Sequence, residues 1–132
     1  MTQKPERLER LITEQLGECC EGDIDARLDS LETLASDVPD DTSGDVRVLK
    51  ALGNETRYRI VRLLQAAEDE LCVCEITPVV DVSDSAISHA LSDLNDAGLV
   101  SRRKEGTWRY YQLAPGITDL LRAIDRILDR AR

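Results

Sequence analysis

Ser83-Asp84-Ser85-Ala86-Ile87-Ser88-His89-Ala90-Leu91-Ser92-Asp93-Leu94-Asn95-Asp96-Ala97-Gly98 reads as one helix with two unlike sides. Ser83 suits the N-cap, because its hydroxyl can accept one of the orphan N–H groups of the first turn. Ile87, Ala90, Leu91 and Leu94 recur at i, i+3, i+4 and i+7, and Gly98 is a natural stop. Ser85, Ser88, His89 and Ser92 occupy the other side. Short polar side chains there let a helix backbone enter the major groove and reach base edges. Asp84 suits the helix dipole but repels phosphate unless it accepts a hydrogen bond from cytosine. Alone, this pattern also describes an ordinary amphipathic helix with a solvated face.

The next segment favours DNA. Leu99 to Arg103 and Trp108 to Leu113 read as two strands joined by Lys104-Glu105-Gly106-Thr107. Residues 101–111 carry Arg102, Arg103, Lys104 and Arg109 against Glu105 alone, a local net of +3. Bases on a projecting hairpin are placed to meet phosphates or the minor groove. Trp108, Tyr110 and Tyr111 are expected to anchor the hairpin on the core. Upstream, Val46, Leu49 and Leu52 form a short helix ended by Gly53, and Asn54 caps a helix bearing Ile60, Val61, Leu63, Leu64 and Ala67. A further helix is expected from near Leu71 through Ile76 towards Val80, shortened by Pro78. Pro115 or Gly116 starts a last helix with Ile117, Leu120, Leu121, Ile124, Ile127 and Leu128 on one broad face. This element order predicts a mainly α fold with a small β-hairpin, a winged helix-turn-helix.

The N-terminal third reads as an extension. Leu8, Leu11, Ile12 and Leu16 follow Pro5 with helical spacing, and Ile24, Leu28, Leu31, Leu34 and Ala35 mark a second helix near Asp23. Residues 1–44 are thus expected to be a helical extension and linker, and 45–132 the DNA-binding and dimerisation domain. The last helix has more apolar surface than one wing can cover, which predicts a homodimer with two reading helices about one DNA turn (~34 Å) apart.

The net charge of −9 argues against a nucleic-acid partner only until its distribution is read. Residues 1–43 hold 12 acids and 4 bases, whereas residues 44–132 hold 14 and 13. The excess acid lies away from the DNA-reading signals. Arg outnumbers Lys by 14 to 3, Asp outnumbers Glu by 15 to 11, and Phe is absent, which suggests a salt-loving source. Salt screens phosphate attraction and leaves more of the binding to base contacts and shape. No stretch approaches the ~18 apolar residues of a membrane span, and the start lacks the apolar core of a secretory signal. A cytoplasmic protein without a membrane partner is expected, and there four cysteines point to metal or thiol chemistry rather than structural disulfides.

Two of those cysteines, Cys72 and Cys74, lie just ahead of the reading helix. Residues two apart do not face each other within a helix, but they can grip one ion at a helix start. A helix N-terminus also favours thiolate, the form a soft metal needs. Thiolates select zinc, cadmium, lead or trivalent arsenic over hard cations. An isolated Cys-x-Cys is read rather as one buried and one exposed packing residue, since free cysteine packs as a small hydrophobe. Cys19 and Cys20 are the other thiols, flanked by Glu18, Glu21 and Asp23, which attract cations but disfavour free thiolate.

From Val48 to Leu113 the chain resembles the ArsR/SmtB family of metal-responsive repressors. The matching pieces are Leu49 to Arg57, Glu70-Leu71-Cys72-Val73-Cys74-Glu75, Ser85 to Leu91, and Gly98-Leu99-Val100 through Tyr111. The resemblance implies a dimeric winged-helix repressor that leaves operator DNA when an inducer metal binds. In the cadmium/lead-responsive branch N-terminal cysteines join the Cys-Val-Cys pair, which here implies Cys19 and Cys20 as further ligands. The chain departs from the family in three places. Its N-terminal cysteines are adjacent, Thr77 stands where arsenic-responsive relatives have a third cysteine, and Ala90 replaces a second histidine, which is expected to alter the reading surface. The last helix lacks the histidine of another family site.

The expected function is therefore a transcriptional repressor released by arsenite, cadmium, lead or zinc, with no organic cofactor. An alternative keeps the repressor but switches it by thiol oxidation. A thiol enzyme or metal carrier is a rival from another class. One histidine, no Cys-x-x-Cys and no nucleophile–base pair argue against an enzyme.

Overall fold

The computed structural model describes residues 6–17 and 21–130, which fall into two compact units, Met1–Thr42 and Ser43–Arg132. In the first, α1 (Glu6–Leu16) and α2 (Glu21–Ala35) are the two expected helices, and Ile12 is buried. Among the described residues no helix is long and apolar enough to cross a membrane.

The second unit runs α3 (Ser43–Leu52), α4 (Glu55–Ala67), β1 (Leu71–Cys72), α5 (Val73–Ile76), α6 (Asp84–Asp96), β2 (Val100–Glu105), β3 (Trp108–Leu113) and α7 (Ile117–Ile127). It is a winged helix-turn-helix, as the element order predicts. Asn54 caps α4, its Oδ1 accepting from the Arg57 N–H at 3.0 Å. The Arg57 side chain in turn donates to the carbonyls of Ala51 (2.7 Å) and Lys50 (3.3 Å) at the end of α3, the second of which also accepts from the Gly53 N–H at 3.1 Å. Ser83 caps α6 through its hydroxyl and the Ala86 N–H at 3.1 Å.

The core gathers Ile60, Val61 and Leu64 of α4, Ile76, Ile87, Leu91 and Leu94, Leu99, Val100, Tyr111 and Leu121. Complete burial of each large aliphatic residue stabilises by roughly 1.5–3 kcal/mol, so this cluster is what orients α6. The bidentate Arg62–Asp125 pair (3.0 and 3.1 Å) ties α4 to α7, and Arg130 adds a second base at 3.1 Å. Asp125 is thus held in an ion-pair network rather than standing free on the polar face of α7.

Three expectations need correction. No helix runs from Leu71 towards Val80. Leu71 and Cys72 instead form a strand opposite Tyr111 and Tyr110 of β3, in a sheet of order β1-β3-β2. Helix begins only at Val73 and ends at Ile76, because Pro78 has no N–H and its ring would meet the carbonyl of the preceding turn. The wing loop is also tighter: β2 continues through Lys104 and Glu105 and turns at Gly106, whose φ of 62° suits glycine. Finally, Tyr111 is buried in the core, but Trp108 is 54% exposed and stands on the wing near its tip.

Candidate thiol site and nucleic-acid interface

Cys72 sits where strand becomes helix. Its N–H donates to Glu75 Oε1 at 2.7 Å, while its sulfur accepts from the Cys74 N–H at 3.4 Å, a capping box with sulfur in the place of a hydroxyl oxygen. This cap brings the Cys74 sulfur to 2.8 Å from that of Cys72. Cys72 is buried and Cys74 exposed, and both are free thiols. The pair therefore combines both sequence readings, one packed and one accessible cysteine whose sulfurs nonetheless meet.

The hydrogen bond to Cys72 pushes the Cys74 thiol above its ordinary value of 9.0, reinforced by desolvation and by negative charge at Cys72 and Glu75. The expected help from a helix N-terminus does not prevail at Cys74, since a four-residue helix sums few peptide dipoles. Capture of an ion must displace a proton there. Two thiolates on a tetrahedral ion at ~2.3 Å stand about 3.8 Å apart, so the pair must also open by about 1 Å. The exposed Cys74 is free to make that move. Among the described residues no third Cys, His, Asp or Glu completes a cluster. Thr77 lies nearby but spends its hydroxyl on the Val73 carbonyl at 3.0 Å. Cys19 and Cys20 lie outside the described residues.

The thiols line a cleft of about 520 Å³ whose other walls include Asp84 and Ser88 of α6 and Thr107, Trp108 and Arg109 of the wing. A ligand at the sulfurs thus shares a cavity with both parts of the expected DNA interface. That common cavity was not legible in the sequence, because it joins three segments separated along the chain.

Ser85, Ser88, His89 and Ser92 are all exposed on α6. Ala90 is only 5% exposed, so the family's second histidine would fall on the core side rather than on this face. On the wing, the pairing Arg102↔Tyr111, Arg103↔Tyr110 and Lys104↔Arg109 divides the bases by strand alternation. Arg102, Lys104 and Arg109 share one face and are exposed. Arg103 belongs to the other, where it pairs with Glu70 at 3.0 Å and with Glu105, its guanidinium 4.5 Å from the Tyr110 ring centre. Both carboxylates hold that guanidinium firmly protonated. Sequence reasoning placed Arg103 among the free bases; Glu70, 33 positions away, was the partner it missed.

Residues 54–102 match the profile described as bacterial regulatory protein, arsR family. A Halobacterium salinarum protein, "Putative arsenical resistance operon repressor ArsR", is 56% identical over 81% of this chain and 84% of its own length. The cadmium resistance transcriptional regulatory protein CadC of Listeria innocua is 41% identical over 54% of this chain and 59% of its own. Among solved structures, the homodimeric winged helix-turn-helix DNA-binding domain Mb0332 from Mycobacterium bovis is 32% identical, with a TM-score of 0.55 over 65% of this chain and 78% of that one. Fold, capped reading helix, charged wing and sequence similarity agree: this chain belongs to the ArsR family of transcriptional regulators.

Proposed function

We propose that the protein is a homodimeric repressor of operator DNA, released when a thiophilic ion binds Cys72 and Cys74. The observation that carries this reading is the shared cleft, which Cys72 and Cys74 line together with residues of α6 and the wing. Residues 45–132 bind DNA and dimerise. Ser85, Ser88, His89 and Ser92 read bases, and Arg102, Lys104 and Arg109 meet phosphates, while Arg103 is paired with Glu70 and Glu105. Exposed Val46 and Leu49 on α3, with Ile127 and Leu128 at the end of α7, supply apolar surface for a partner copy. Residues 1–44 are an extension, and its Cys19 and Cys20 are the further ligands that the family resemblance implies. Trivalent arsenic, which takes three sulfurs, is the favoured inducer, since it needs only one more thiol and the relative similar over most of the chain is named for arsenical resistance. Cadmium, lead and zinc remain ions the same sulfurs would accept.

The chain's residues act in sequence. Cys72 and Cys74 lose their protons and spread apart around the ion, which disturbs the Cys72–Glu75 cap. That shifts β1 and α5 against α6 and β3 and favours a state that fits DNA poorly. The test titrates reduced protein with arsenite, cadmium, lead and zinc in high potassium chloride, following ultraviolet sulfur–metal bands and operator anisotropy together. Coincident sulfur bands and operator release support the reading. An operator complex that persists with ions bound at the sulfurs defeats it. The 2.8 Å contact between the sulfurs favours one further reading, oxidation of the pair to a disulfide by a peroxide, which is reduced to water. Release by peroxide, without any sulfur–metal band on ion addition, would select it.

A further inference from the structure

The Glu70–Arg103 pair has no role in binding an ion or in reading a base, yet it joins the two parts that must communicate. Glu70 directly precedes the strand that carries Cys72, and both its oxygens hold Arg103 of β2, at 3.0 and 3.2 Å. Cys72 pairs with Tyr110 and Tyr110 pairs with Arg103, so the three lie in one row across the sheet. The Arg103 guanidinium lies over the Tyr110 ring. β1 is only two residues long, so its own ladder is a weak hold on the wing.

We propose that Glu70 is a positioning residue that couples the thiol turn to the wing, through its two-point grip on Arg103. This rests on the ion-released repressor reading above. When the sulfurs spread around an ion, Glu70, two residues from Cys72, moves with β1. Its carboxylate then lets Arg103 go, and the wing shifts relative to α6. Glu105 also binds Arg103, but it sits on the wing itself and carries no displacement from the thiol turn. That difference supplies an internal control.

The measurement is the ratio of operator dissociation constants with and without arsenite, for the full chain, Glu70→Gln and Glu105→Gln. If coupling runs through Glu70, its substitution lowers the ratio by at least about fivefold, while Glu105→Gln stays within about twofold of the parent. A second readout needs no DNA. The Arg103 Nε–Hε resonance should be protected in the ion-free parent and in Glu105→Gln, lost from Glu70→Gln, and lost from the parent as arsenite fills the thiols. A parent that releases DNA with Glu70→Gln releasing equally overturns this inference alone, as does an Arg103 resonance unmoved by arsenite. A parent that never releases DNA overturns the repressor reading and this one with it.

Discussion

The reading helix and the thiol turn are neighbours built to opposite standards. α6 has 13 residues, a serine cap and four buried side chains, Ile87, Ala90, Leu91 and Leu94. β1 and α5 together have six residues, held by one strand pairing, a sulfur-centred capping box and the buried Cys72, Ile76 and Val80. Helices this short are marginal without tertiary support. A regulatory protein gains from this contrast. In the proposed repressor, the element that would read bases is embedded in the core, and the element that would yield to an ion is drawn from the weakly held end of the stability range.

The largest expected effect tests which element senses the ion. Cys72→Ser retains the cap, because serine is a good N-cap, but removes a sulfur. It should still bind operator while losing ion-dependent release, a coupling of about 5–150-fold in such systems, read by anisotropy. Intact release in Cys72→Ser would move the sensor elsewhere.

Stability should divide the same way. Leu91→Ala, inside α6, should cost about 3 kcal/mol in urea unfolding, whereas Cys74→Ala, exposed on α5, should stay within about 0.5 kcal/mol. Hydrogen exchange should follow: amides of Leu91 and Leu94 open only with the whole domain, and those of Cys74 and Glu75 well before it. Equal protection of the two regions would remove the contrast. Next in size is Ser83→Ala, expected to cost about 1 kcal/mol by leaving a first-turn N–H of α6 without its partner.

The smallest effects depend on pH. Because Cys74 is raised, ion affinity should climb as pH rises through neutrality and towards the ordinary thiol range, with protons released on binding. Asp125 is lowered, mainly by Arg62, so its contribution is present above the usual carboxylate range and is lost as pH falls through its folded value. Asp125→Asn should therefore flatten the acid limb of the stability profile, and leave the dependence of ion binding on pH unchanged.

Much of this fold follows from local rules. Periodic apolar residues, Asn54, Ser83 and Gly98 place α4 and α6, and the basic hairpin marks the wing, because caps and amphipathic faces depend on residues a few positions apart. The two thiols of the turn are equally legible as residue types. Their geometry is not: β1 is too short to show any alternation, and it exists because Tyr110 and Tyr111 offer it a paired edge. The same is true of Arg103, a free base by composition that becomes a partner of Glu70, and of Trp108, an expected anchor that lines the thiol cleft instead. Helices, caps and charge are thus written in neighbouring residues. Which sulfurs meet, which base is neutralised and which cavity unites sensor with reader depend on strands and loops brought together from distant positions, and such long-range contacts form only when the core closes around them.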